Sequence, residues 1–215
     1  MRRIVILTFI GLMPLACRRP VSSGVHGSGV PKTETRQIAT FDEIDFRGAG
    51  SLEIAIGQPQ SLIITCDDNI LPLIETKVTG HQLVVRPVQQ IRDVKLVIKA
   101  TVADLKNLQI GGAAKAQVTG IANETLDITA NGAATISLAG KTDRLQIEIN
   151  GAGKVSADEL AARDVRAEIS GTGEADVNAS KTLNATINGV GTIRYTGNPQ
   201  VTKQINGLGT VSKRG

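Results

Sequence analysis

Aromatic side chains are almost missing: the 215 residues hold no Trp, one Tyr and three Phe. Sites for single-stranded nucleic acid are built on ring stacking, so this composition excludes them and nearly excludes aromatic sugar platforms. Histidine is as scarce. His26 and His81 lie far from any residue that would complete a catalytic triad. Charge of one sign is missing as well: the net charge is +4, of which Arg2 and Arg3 supply two, and this is too small to imply nucleic acid or an anionic surface as a partner. The longest apolar stretch, IVILTFIGLM, is too short to cross a bilayer, which takes about 20 residues as a helix. Only two cysteines are present, Cys17 and Cys66, so no disulfide framework supports the fold.

The first residues are an export signal. MRR is a charged start, IVILTFIGLM an apolar centre, and PLAC ends in small residues and a cysteine, which makes residues 1–16 a lipoprotein-type signal peptide. The segment resembles a bacterial lipobox, with Leu15 and Ala16 before cleavage and Cys17 as the lipidation site, although Pro14 stands where that pattern has leucine. Cleavage as an ordinary secretory signal, with Cys17 a bystander, is the other reading. A lipid on Cys17 makes a membrane the first expected partner. No acidic residue follows Cys17 to retain the protein at an inner membrane, so an exported, lipid-anchored place in the envelope, at the outer membrane, is expected. Residues 17–38 are rich in Gly, Ser, Pro and charge, and they read as a flexible tether. With Cys17 lipidated, Cys66 is a buried free thiol at a strand end.

A repeat dominates the rest of the chain. INGAGKV at 149–155 returns as INGVGTI at 187–193 and INGLGTV at 205–211. The first glycines of these turns, Gly112, Gly132, Gly151, Gly171, Gly189 and Gly207, are spaced by 20, 19, 20, 18 and 18 residues, the signature of a solenoid. Within each copy the apolar residues alternate: Leu145, Ile147 and Ile149 share one face and Gln146, Glu148 and Asn150 the other. The fold predicted is therefore all-β, a right-handed single-stranded β-helix with coils of about 19 residues, its hand following the general rule for parallel crossovers. Residues 101–211 form the regular coils. Residues 39–100 carry alternating strands broken by Pro59, Pro72 and Pro87 and read as irregular coils or a cap, the whole of 39–211 being one domain.

The glycine turns are read as structural corners: Gly112, Gly132, Gly151, Gly153, Gly171, Gly173, Gly189, Gly191, Gly207 and Gly209. A dinucleotide loop needs a third glycine and a following helix, but Ser156, Asp176 and Arg194 hold that third position and strands follow. Gly140-Lys141-Thr142 lacks the earlier glycine of a phosphate loop, Thr135 standing there instead. The Asn-Gly and Ser-Gly pairs are expected to tolerate positive φ, and the second glycine to let coils approach. Asn131, Asn150, Asn188 and Asn206 are placed to share amide hydrogen bonds between coils. No cofactor and no metal is expected, because the turns put Ala175 where a calcium repeat needs aspartate and the Asp67-Asp68-Asn69 cluster reads as a turn. No catalytic residue is expected either. Glu148 and Glu168 fall one coil apart in an outward column, the nearest approach to a glycosidase pair.

The opening FDEIDFRGAGSLEIAIG, the run SLIITCDDNILPLIETKVTGHQLVV and the closing INGxG turns together resemble the head GIN domain of the autotransporter-adhesin class, over residues 39 to 211. That resemblance implies a β-helical extracytoplasmic domain, commonly on a lipoprotein, without assigned catalytic residues. The expected role is non-enzymatic: a membrane-tethered envelope protein that presents a β-helix surface to a protein or glycan ligand, as an adhesin does. The alternatives are a periplasmic structural or oligomeric scaffold, which includes a homo-oligomer, and a glycan-active enzyme.

Overall fold

A computed structural model describes residues 24–214. The signal segment, Cys17 and Gly215 lie outside the described residues. In chain order the strands are β1 (Val25–His26), β2 (Pro31–Thr35), β3 (Glu43–Phe46), β4 (Ala49–Ile56), β5 (Ser61–Asp67), β6 (Ile74–Thr79), β7 (Gln82–Pro87), β8 (Ile91–Arg92), β9 (Val97–Val102), β10 (Asn107–Ile110), β11 (Ala113–Ala130), β12 (Ala133–Ile149), β13 (Ala152–Ile169), β14 (Thr172–Ile187), β15 (Val190–Thr196), β16 (Gln200–Ile205) and β17 (Leu208–Lys213). Among the described residues, one 3₁₀ turn at Leu71–Leu73 is the only helical piece.

From β10 onward the chain winds as stacked parallel coils. β11 to β14 are each 16 to 18 residues long because each bends around the solenoid, with pairing shifts such as that between Val118 and Ile121 marking the bends. Two main sheets result. A front sheet stacks 113–118, 133–137, 152–157, 172–177, β15 and β17 in register. A back sheet stacks β10, 125–130, 144–149, 164–169, 182–187 and β16.

The alternation becomes vertical columns inside the narrow core. Leu126, Leu145, Val165 and Leu183 form one, Ala116, Ile136, Val155, Ala175 and Ile193 another, and every member is buried. Each fully buried aliphatic contributes about 1.5–3 kcal/mol. Small and branched aliphatics fill the coils because the two sheets leave no room for rings. Phe41 and Phe46, both buried, sit at the broader capped end.

Residues 39–100 are neither sequential coils nor a detached cap. β3 and β4 form the first coil, in parallel register with β10 and with the start of β11, and Arg47-Gly48-Ala49-Gly50 is its corner. The chain then leaves the stack. β7 and β9 pair on the outer side of β3 and β4, and β6 and β5 add antiparallel strands outside those. Only at β10 does the chain return to the inner side of β3. The excursion covers one end of the core.

The tether predicted for residues 17–38 is corrected over its described part. β2 pairs antiparallel with β5, and β1 pairs parallel with β8. Pro31–Thr35 is mostly exposed, so backbone hydrogen bonds rather than an apolar face hold it in place, and it covers the edge of β5. Cys66 lies buried in β5 as a free thiol, and burial pushes its pKa up, which keeps it unreactive.

Candidate binding surface

The corners come first, because they shape the surface. A methyl group on Gly112, Gly132, Gly151, Gly171, Gly189 or Gly207 would fall inside the van der Waals envelope of the carbonyl oxygen of the glycine one coil earlier, beginning with Gly48. None of these glycines has positive φ, which is confined among the glycines to Gly29, Gly80, Gly120, Gly140 and Gly197. The expectation of left-handed backbone at the Asn-Gly corners is therefore corrected. The first glycine is required by coil-to-coil approach, and so in part is the second: Cβ atoms on Gly173, Gly191 and Gly209 would lie 2.6 Å from the carbonyl oxygens of Gly153, Gly173 and Gly191 and would also press on Ile149, Ile169 and Ile187, while at Gly153 the nearest atom is Ile149 Cγ2 at 3.2 Å.

The corner amides bond in pairs. Asn150 Nδ2 donates to Asn131 Oδ1 at 3.0 Å and Asn206 Nδ2 to Asn188 Oδ1 at 2.9 Å. Ser170 interrupts the column, so Asn188 turns its amide to Glu168 Oε1 at 3.1 Å.

Beside the corners, the front sheet carries a shallow trough of about 860 Å³ that crosses five coils, from Ala133 to Thr210. Its floor is Ala134, Gly153, Gly173, Gly191 and Gly209, and Thr135, Thr172, Thr192 and Thr210 supply hydroxyls along it. With coils about 4.8 Å apart, the trough runs about 19 Å along the axis. Lys154 and Glu174 border it.

An ion-pair ladder fixes this border. Lys154 Nζ lies 3.3 Å from Glu174, Arg194 donates to Glu174 at 3.0 Å, and Arg194 grips Asp176 at 2.6 and 3.1 Å. Asp176 is only 6% exposed, and the Arg194 hydrogen bonds, with that residue's charge, hold its carboxyl below the usual range despite burial. A carboxylate with a lowered folded pKa stabilises the fold above its unfolded value of about 3.9, and the contribution is lost as pH falls through the folded value. Asp176→Asn should therefore cost about 1.5–3 kcal/mol at pH 7 and flatten the loss of melting temperature below about pH 4. Thermal melts at pH 7, 4 and 2.5 check this, and an unchanged slope refutes it.

The back sheet gathers the carboxylates. Glu148 and Glu168 pair in register on adjacent coils. Each is engaged: Gln146 donates to Glu148 at 2.8 Å, and Arg166, Ser170 and Asn188 donate to Glu168. Asp127, one coil away, is shifted upward by burial and then by the charge of Glu148. Asp127, Gln146 and Arg166 line an open depression of about 330 Å³, and neither glutamate is part of its lining.

The remaining polar clusters serve the fold. Asp67, Asp68 and Asn69 bind the N-terminal segment: Gly29 N donates to Asp67, Ser28 Oγ to Asp68 at 2.5 Å, and Ser28 N to Asn69 Oδ1 at 3.0 Å. His26 Nδ1 faces Asp93 at 2.9 Å, and the His81 carbonyl accepts from the amides of Asp42 and Glu43. Thr142, from the Gly-Lys-Thr run, is buried and donates to the Arg144 carbonyl. Among the described residues no three potential metal ligands converge. Sequence reasoning missed the ladder and the clip, because their residues lie 18 to 41 positions apart and only the coil register brings them together.

Solved structures share this fold. A "putative adhesin" from Bacteroides fragilis is 22% identical, with a TM-score of 0.72, over 89% of this chain and all of its own. A "putative lipid binding protein" from Parabacteroides distasonis is 24% identical at 0.54, over 90% of this chain and all of its own. A further "putative adhesin", from Parabacteroides merdae, is 22% identical at 0.55, over 89% of this chain and 99% of its own. No curated protein matches the chain. Residues 40–199 match the family described as "Putative auto-transporter adhesin, head GIN domain", and with that match over most of its length the chain belongs to this family.

Proposed function

We propose that this protein is a non-enzymatic component of the cell envelope, anchored by a lipid on Cys17, that binds a protein or glycan ligand on its front sheet in the manner of an adhesin. The observation that carries the reading is the trough: small residues leave the backbone accessible across five coils, with threonine hydroxyls on four of them, beside a rigid ion-pair ladder. Such a surface suits an extended ligand laid along the axis. The back-sheet carboxylates, each held by neighbours, give a substrate no enclosed acid and base to sit between.

The clip at Asp67-Asp68-Asn69 bears on the anchor. The described residues begin at Gly24, seven residues after Cys17, a chain length of at most about 25 Å. A lipid on Cys17 would hold the capped end of the solenoid near the membrane and direct the other end away from it.

Protease shaving of intact cells, with Cys17→Ala as control, tests the reading. Loss of the 101–211 region from wild-type cells, and its release to the soluble fraction in the variant, is the expected result. Digestion only after the outer barrier is opened would refute surface binding and leave a periplasmic scaffold.

A further inference from the structure

We infer that the end of the solenoid opposite the cap is a docking site for an extended segment of another protein, in which an acidic residue has apolar residues two positions away on either side, and which adds as a further strand.

The two ends of the molecule are treated differently. At the first, β2, β5 and β6 close the stack. At the other, β16 pairs only with β14 and β17 only with β15, so among the described residues each has a free edge. A free edge is a template for another strand. The core columns end here as well: Ile205, last in the column that runs through Ile149, Ile169 and Ile187, is 43% exposed, and Leu208 of the trough is 76% exposed.

Charge selects the occupant. Residues 198–214 contain Lys203, Lys213 and Arg214 and no carboxylate. Arg214 reaches back to Asp158 at 3.3 Å, but among the described residues Lys203 and Lys213 have only neutral partners, the Val211 carbonyl at 2.8 Å and Asn198 Oδ1 at 2.6 Å. Lys203 is the telling residue. It occupies a core column, in register with Ala185 and, one coil earlier, Ala167. Its ammonium crosses the mouth of the core where an aliphatic side chain would otherwise sit.

A second copy of this chain is the wrong occupant. Two solenoids meeting end to end would bring two Lys203 ammonium groups into one apolar interface, where like charge and lost hydration both oppose binding. An incoming carboxylate opposite Lys203 would instead pair with it while apolar residues two positions to either side cover Val201 and Ile205. The lysine thus guards against self-association and favours an acidic strand.

The test uses the mature chain made soluble by Cys17→Ala and a fluorescein-labelled, end-blocked heptapeptide of alternating threonine and valine with glutamate in place of its central valine, and counterparts carrying glutamine or lysine there. Fluorescence anisotropy at low salt should give saturable binding of the glutamate peptide, at least tenfold tighter than the glutamine peptide. Lys203→Glu should reverse the preference toward the lysine peptide, a result that misfolding could not imitate. Ile205→Ser, a change at a position 43% exposed, should weaken binding of the glutamate peptide. Absence of saturable binding, equal affinity for the glutamate and lysine peptides, or an unchanged preference in Lys203→Glu would overturn the inference. So would a concentration-dependent dimer in sedimentation velocity that Ile205→Ser dissolves, since that would make a second copy the occupant.

Discussion

Gly171→Ala is expected to lower the melting temperature by roughly 6–12 °C, about 3 kcal/mol in a domain of this size, while Gly153→Ala should move it by less than about 3 °C. The two sites differ only in what a methyl group meets. At Gly171 it would overlap the Gly151 carbonyl oxygen, a backbone atom that cannot yield without separating two coils. At Gly153 it would lie 3.2 Å from Ile149 Cγ2, a contact that a small rotation relieves, and the aligned positions one and two coils earlier are Ala134 and Ala114. An opposing effect is present at both. Alanine restricts the unfolded chain and stabilises by about 0.4–1 kcal/mol wherever the backbone permits it. The backbone of Gly171 is not left-handed, so this gain applies there too, and the clash must exceed it. Gly173→Ala should fall between, with Cβ 2.6 Å from the Gly153 oxygen. Differential scanning calorimetry on the three variants decides the matter. Equal effects at 153 and 171 would mean that the corner glycines serve something other than the approach of coils.

Phe46→Ala is expected to cost about 3–5 kcal/mol, the range for removing a buried ring. Phe46 is fully buried at the head of a column that continues through Ile110, Ala130, Ile149 and Ile169. It lies between Val85 of the excursion and Ile110 of the next coil, so its loss loosens the seam between the cap and the stack. In a solenoid, stability is passed between nearest neighbours, and damage to an end coil should spread from that end. Hydrogen exchange should therefore quicken first in β3, β7 and β10, with 144–187 still protected. Uniform acceleration along the whole chain would refute this directional picture.

The regular part of the molecule was legible because its rules are local. An alternation such as Leu145, Ile147, Ile149 assigns a strand and its inner face within five residues, and a recurring Asn-Gly places the next corner. The spacing of Gly112 to Gly207 then stacks the coils. The column of Glu148 and Glu168 follows from the same counting, and so does the absence of a third glycine that a phosphate loop would need. The reason assigned to the corner glycines was wrong in part, because the obstacle at Gly171 is a carbonyl 20 residues earlier, and no local pattern reports it.

Three features were decided by the tertiary structure alone. The path from β4 out to β5, β6, β7 and β9 and back to β10 is a choice of which strand lies beside which, and strands of similar alternation can pair in more than one order until the core is closed. The pairing of Pro31–Thr35 with β5 is made by backbone groups on an exposed edge, where side chains need no apolar period. Lys203 stands in a core column, a position that binary patterning would give to an aliphatic residue, because beyond the last coil there is no core left to bury it. The sequence by itself determined the period, the inward faces and the corners, since all three arise from steric and solvation preferences of neighbouring residues. The order of the coils, the covered end and the open end arose only when distant backbone edges met, and hydrogen bonds between such edges leave no mark in the chain.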